Sequence, residues 1–199
     1  MSILITPYVY LNKYKKICFS INKEWSDLAN KINKNIIMLC DYSNFKNILK
    51  SSKIQAVVLS GGGDIFKVKK NKLNELRDKF EINLANYCFK RKIPVVAVCR
   101  GFQLLASNSG CKIIKSKQGS NKHKITLKID GEKKSIFVNS YHKYKIFNIG
   151  SNFDILGKCK DNSVEIASHK KKRLLCLMMH PERPGNNKII LNLFNKFIN

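Results

Sequence analysis

The sequence has no hydrophobic run approaching the ~20 residues that a membrane-spanning helix needs. Its amino terminus also lacks the basic, apolar and small-residue order of a secretory leader. Its seven cysteines include no C-x-x-C pair and form an odd set, which argues against a disulfide framework and against a zinc site. Neither the Walker pattern nor G-x-G-x-x-G is present. No RNA-binding aromatic signature and no zinc-finger spacing accompanies the positive charge. These absences lead us to expect a cytoplasmic protein with reduced thiols, no metal, no cofactor and no membrane partner.

What is abundant is lysine. The formal net charge is +25, and such a field suits nucleic acid, an anionic surface or a polyanionic small molecule. Lysine, asparagine and isoleucine are enriched together in strings such as "NKINKNI" and "KVKKNKLN", which reads as a compositional bias spread over a solvated surface. A nucleic-acid reading therefore rests on electrostatics alone.

At 199 residues and 44% hydrophobic composition, the chain is expected to form one domain over residues 1–199. Strand-like runs at Ile3–Thr6, Ile36–Cys40, Ala56–Ser60 and Val95–Val98 alternate with helical segments at Lys23–Ile32, Phe45–Leu49 and Lys72–Lys90. This order marks βαβ units around a parallel sheet. After Gly110 the texture changes to "KITLKI" and "SIFVN" joined at Asp130-Gly131, a strong hairpin signal. "SVEIAS" and "LLCLMM" read as further strands, and the chain closes in an amphipathic helix.

Three strand ends carry candidate chemistry. In "IPVVAVCRGFQLLA" a buried strand turns directly into a helix at Cys99. A nucleophile on such a turn projects into the crevice at the carboxyl ends of the strands. The turn needs small neighbours, supplied here by Ala97 and Gly101, as in the G-x-S-x-G elbow. The start of the helix favours a thiolate, although a buried core cysteine would fit the same position. "LLCLMMHPERP" ends abruptly in His180 and Glu182. These could serve as the base a thiol needs and as the carboxylate that orients it, or they could form a surface turn. In "VVLSGGGDIF", Gly61, Gly62 and Gly63 let the backbone approach a ligand, as an oxyanion site, a phosphate cradle or a flexible turn.

Taken in order, "LSGGGDIF", "LRDKFE", "IPVVAVCRGFQLLA", "VNSYHKY" and "MMHPERP" resemble the class I glutamine amidotransferase superfamily, and more narrowly its γ-glutamyl hydrolase branch, over nearly the whole chain. The resemblance implies an α/β, flavodoxin-like three-layer fold with a mostly parallel central sheet and a small antiparallel β extension. It implies Cys99 as nucleophile, His180 as general base and acid, and Glu182 as its orienting carboxylate. The backbone N–H groups of Gly62 and Arg100 would form the oxyanion hole. Gly61, Gly63, Gln103, Asn139, Ser140, Tyr141 and His142 would surround the γ-glutamyl group. Ala97 departs from the glycine usual in the family before the elbow. No synthetase domain is present to receive ammonia, which leaves a free-standing hydrolase or a detached glutaminase subunit; the Cys-Arg-Gly and Gly-Gly-x-Asp forms favour the hydrolase.

The implied partner is a small-molecule γ-glutamyl substrate, and the positive field suits a nucleotide conjugate. For its phosphates the nearest cations in sequence are Arg183, after the triad carboxylate, and Lys67, Lys69 and Lys70, after the glycines. An aliphatic amine such as 4-aminobutyrate would need no phosphate site. A nucleic-acid-binding protein on a hydrolase scaffold is the competing class, and we expect no nucleic-acid partner. His123 and His169 read as surface or satisfied histidines.

Overall fold

The computed structural model describes residues 1–116 and 122–199. The strands are β1 (Ser2–Ile5), β2 (Tyr8–Leu11), β3 (Ile17–Ser20), β4 (Asn35–Met38), β5 (Ile54–Leu59), β6 (Val95–Val98) and β7 (Lys112–Lys115). They continue with β8 (His123–Ile129), β9 (Glu132–Val138), β10 (Tyr144–Phe147), β11 (Phe153–Lys158), β12 (Val164–His169) and β13 (Leu174–Leu177). The helices are α1 (Lys23–Lys31), α2 (Phe45–Ser51), α3 (Lys72–Lys90), α4 (Arg100–Asn108) and α5 (Lys188–Ile198).

A nine-stranded sheet in the order β4-β1-β5-β6-β13-β12-β11-β8-β9 forms the middle layer. Strands β4, β1, β5, β6 and β13 are mutually parallel, and from β13 onward each neighbour runs antiparallel. The expected fold class is therefore observed, with an antiparallel part that prolongs the main sheet by four strands. Two further hairpin-like pairs, β2–β3 and β7–β10, lie outside it.

Period-two alternation explains the layers. Leu4, Val57, Leu59, Val95, Ala97 and Cys176 face α2, α3 and α4, while Ile3, Ile5, Val58, Val96, Val98 and Leu177 face α1 and α5. Because both faces are covered, these strands read as unbroken apolar runs. α1 presents Trp25, Leu28 and Ala29, and α5 presents Ile190, Phe194 and Ile198, spacings that put each set on one helical face. Trp25 and Phe194 meet with ring centroids 6.3 Å apart. α3 covers the residues expected and starts at Asn71, whose side chain accepts from Asn74 N–H at 2.8 Å.

The turn at Asp130 and Gly131 has positive φ at both residues (51° and 81°), the requirement of a two-residue hairpin. Strands β2, β3, β7, β10 and β11 have no counterpart in the sequence reading. In β2 the outward residues Tyr8 and Tyr10 are aromatic while Val9 is buried, so both faces look apolar and the alternation disappears. β7 and β10 are four-residue strands with lysine among their apolar residues, too short to carry a pattern.

Candidate active site

The parallel strands β1, β5, β6 and β13 are neighbours, so Thr6, the Ser60–Gly63 loop, Cys99 and His180 emerge along one edge of the sheet. Cys99 is buried and adopts φ 50°, ψ −99°, a conformation that side chains rarely take. Its N–H still donates to the Leu177 carbonyl at 2.7 Å, completing the sheet, while its own carbonyl accepts from Gln103 N–H at 3.0 Å as the first bond of α4. The N–H groups of Arg100 to Phe102 precede that ladder and have no intrahelical acceptor. Gly101 is required by packing: a Cβ there would lie 2.4 Å from the Leu59 carbonyl oxygen.

His180 and Glu182 are both buried, and His180 Nδ1–H donates to Glu182 Oε1 at 2.6 Å. The other ring nitrogen is not engaged by Glu182, and Cys99 lines the same cleft as His180. Burial pulls the imidazole pKa down, but the bonds to Cys99 and Glu182 and the attraction of both groups outweigh it, and His180 is raised to about 9. The ring is clamped from behind. Asn139 Nδ2 donates to the carbonyls of His180 (2.9 Å), Arg183 (3.2 Å) and Pro184 (3.1 Å), and Asn139 Oδ1 accepts from His180 N–H at 2.9 Å. Asn186 adds a 2.6 Å bond to the His180 carbonyl.

Gly61 packs flat against the His180 ring, with a Cβ position 2.4 Å from Cε1. The glycine loop is anchored by buried Arg77, which donates to the carbonyls of Gly62 (2.8 Å), Ser60 (3.0 Å) and Gly61 (3.3 Å). In a trans peptide the following N–H points the opposite way, so the Gly62 and Gly63 amides are directed away from Arg77. Arg77 and Arg100 share Glu81, which also accepts from Thr6 at 2.7 Å, and Arg100 pairs with Asp78 as well. Burial would raise the Glu81 carboxyl, yet Arg100 and Arg77 hold it below its ordinary value. The "LRDKFE" segment is thus a buried ion network beneath the loop and the elbow. Its spacing was visible in the sequence, but its anchoring work was not.

A cleft of about 190 Å³ contains Cys99, His180, Gly62, Gly63, Gln103, Tyr141, His142 and Arg183 together. Asp64, Lys143 and Tyr144 complete its lining and were not foreseen. Gly61 and Glu182 line an adjoining cleft that shares His180, Gly62, Gly63 and Arg183. Arg183 lies 4.5 Å over the Tyr141 ring, which in turn meets the His180 ring edge-on at 5.7 Å. Ser140 is buried, and its hydroxyl has no hydrogen-bond partner among the described residues. Asn139 is committed to the His180 turn. Lys69 lines a separate cleft beside Gly63, Lys67 lies in a groove with Asp78 and Asn108, and Lys70 is exposed outside these clefts.

His142 connects the cleft to a buried cluster. Its Nδ1–H donates to the Tyr144 carbonyl at 3.0 Å, and its Nε2 is 3.7 Å from Glu165, which is 3.3 Å from His123 Nε2. Burial holds the His142 imidazole below its ordinary pKa despite Glu165. Among the described residues, His123, His142 and Glu165 are the group whose donor set could hold a metal ion; on this geometry they support the Asn139–His142 loop. His169 lies instead at the end of β12, against the Phe153 ring at 5.0 Å.

A strained cysteine elbow, a glycine loop and a histidine–glutamate pair on adjacent parallel strand ends define a class. The chain belongs to the glutamine amidotransferase class-I family, whose model matches residues 19–199. It is 31% identical over 182 residues to the gamma-glutamyl-CDP-amidate hydrolase of Campylobacter jejuni, spanning 88% of this chain and 86% of that protein. It is 27% identical to a glutamine-hydrolyzing GMP synthase subunit of Methanococcus aeolicus, covering 68% of each chain. Among solved structures, a GMP synthase subunit from Thermoplasma acidophilum superposes with a TM-score of 0.71 at 18% identity, covering 100% of this chain and 92% of that one. A helix long and apolar enough to cross a membrane is absent among the described residues.

Proposed function

We propose that this chain is a cysteine hydrolase that cleaves a γ-glutamyl amide, with γ-glutamyl-CDP-amidate as its substrate. The observation that carries the reaction is the strained Cys99 turn set against the buried His180–Glu182 pair. The choice of substrate is supported by the 31% identity to the hydrolase of that conjugate over most of both chains.

In this mechanism His180 takes the Cys99 thiol proton and the sulfur attacks the γ-carbonyl carbon. Negative charge gathers on the carbonyl oxygen, where the Gly62 and Arg100 N–H groups receive it. The C–N bond then breaks as His180 passes a proton to the leaving nitrogen, giving the free CDP-amidate and a γ-glutamyl thioester. Water, deprotonated by His180, attacks the thioester and releases glutamate, and the sulfur leaves with the proton balance restored. Gln103, Tyr141 and His142 line the cleft that receives the glutamyl group, with Ser140 adjoining Tyr141 in the chain, while Asn139 positions His180. Gly61 and Gly63 shape the wall, and Arg183 lines the cleft that holds Cys99. No cofactor takes part, and a single domain over residues 1–199 carries the whole reaction. The seven free thiols suit the cytoplasm, and the product would feed a capsular phosphoramidate.

The test is a parallel assay of γ-glutamyl-CDP-amidate, γ-glutamyl-4-aminobutyrate and glutamine. We expect a strong kcat/KM preference for the nucleotide conjugate and loss of turnover by several orders of magnitude in Cys99→Ala. Equal or better use of the 4-aminobutyrate conjugate would reject the substrate, and an active Cys99→Ala would reject the mechanism.

A further inference from the structure

The β2–β3 hairpin is unusual in what it leaves in solvent. Of the eleven large hydrophobic side chains that are exposed among the described residues, five (Tyr8, Tyr10, Leu11, Tyr14 and Ile17) lie on this one segment. Such a cluster marks a surface that meets something. Tyr8 and Tyr10 project from the same face of β2 and stack nearly parallel, with centroids 5.7 Å apart and planes 12° apart, yet they remain 41% and 37% exposed.

These rings form one wall of a cleft of about 380 Å³. Lys69, Asn71 and Lys72 line the same cleft, as do Gly63 and Asp64. Gly63 and Asp64 also line the Cys99 cleft, so the two spaces adjoin at the glycine loop. Tyr8 is part of the junction: a Cβ on Gly63 would sit 3.0 Å from its ring. The lysines that form ion pairs among the described residues are others, so the charges of Lys69 and Lys72 are uncommitted.

We propose that this cleft is a nucleoside diphosphate site, in which the base lies against the Tyr8–Tyr10 face and the phosphates are met by Lys69 and Lys72. The inference rests on the proposed substrate and deepens it. A group leaving Cys99 past Gly63 enters a space lined by both cations and aromatic rings. Charge-assisted bonds from lysine suit phosphate oxygens, and an aromatic face stacks on a base without reading its edges. The arrangement also revises the sequence-level choice of cations: Lys69 is retained, Lys72 is added, and Lys67 and Lys70 lie elsewhere.

The experiment is calorimetric titration of CDP and of inorganic pyrophosphate into the full chain, its Tyr10→Ala, Tyr10→Phe and Lys72→Ala variants, with thermal midpoints confirming that each is folded. CDP should bind at least tenfold more tightly than pyrophosphate. Tyr10→Ala should weaken CDP by about tenfold, the size of one base–aromatic stack, while Tyr10→Phe restores it. Lys72→Ala should weaken both probes. The site would be overturned if CDP did not bind a protein that hydrolyses γ-glutamyl-CDP-amidate, or if its affinity ignored Tyr10→Ala and Lys72→Ala. If CDP binds with these sensitivities but the conjugate is not hydrolysed, the nucleotide site stands and the proposed reaction fails.

Discussion

Asn139 and His180 hold each other by two hydrogen bonds of 2.9 Å, the asparagine amide donating to the histidine carbonyl and its oxygen accepting the histidine N–H. The histidine side chain is therefore aimed by a residue on a different strand end, through its backbone groups.

Replacing that clamp should separate positioning from chemistry. Asn139→Ala leaves the buried His180 N–H without its acceptor, while the His180 and Arg183 carbonyls keep Asn186, an unmet-bond cost of about 1–3 kcal/mol. Turnover should fall by roughly 100-fold through displacement of the ring, while Cys99 remains alkylated stoichiometrically by iodoacetamide in the mass spectrum. Full activity in Asn139→Ala would show that the turn holds His180 unaided.

The strain at Cys99 predicts an inversion of the usual order of stabilities. At φ 50°, ψ −99° an alanine keeps the steric conflict of a Cβ, whereas glycine removes it. Both variants lose the thiol and, in the proposed mechanism, should be inactive. Cys99→Gly should nevertheless be more stable than Cys99→Ala by about 1 kcal/mol in urea unfolding, although glycine costs more in unfolded-chain entropy. An alanine variant as stable as the glycine one would mean that the elbow stores no strain.

The pH dependence follows from His180. Burial opposes its charge, but Cys99 and Glu182 prevail and raise its pKa to about 9 from an ordinary 6.5. The ring is thus an imidazolium near neutrality, able to protonate the leaving nitrogen, and kcat should decline as pH rises through about 9. For stability the sign is the same: a folded-state pKa above the unfolded one contributes fully below about 6.5 and is lost as pH rises through about 9. Glu182→Gln removes an anionic acceptor and should move the basic limb of the kcat profile to lower pH. A limb that stays in place would assign it to another group.

The parallel half of the fold was legible because β5, β6 and β13 are buried on both faces and must be apolar throughout, and because α3 and α5 repeat their apolar residues at helical spacing. The Cys99 elbow could be read for a related reason: a buried strand that becomes a helix with no intervening residues permits few backbone paths, and Gly101 marks the one taken. His180 and Glu182 were legible as a pair two residues apart after an apolar strand. None of this depends on distant contacts.

Tertiary structure decided what lies between those points. Ordering β1, β5, β6 and β13 side by side put Cys99, His180 and the glycines at one edge, although Gly61 and His180 lie 119 positions apart in sequence. Arg77 could have been a solvated helix cation; only the packing of α3 beneath the loop makes it the anchor of three carbonyls. Tyr8 and Tyr10 belong to a stretch to which the sequence assigned no element, and it is the exposure of the β2–β3 hairpin beside Gly63 that makes them a surface. The chain itself specified the local geometry, since apolar patterning, helix periodicity and the small residues a tight turn needs are properties of neighbouring positions. Which polar and aromatic side chains face one another is set by long-range strand order and burial, and those exist only in the folded protein.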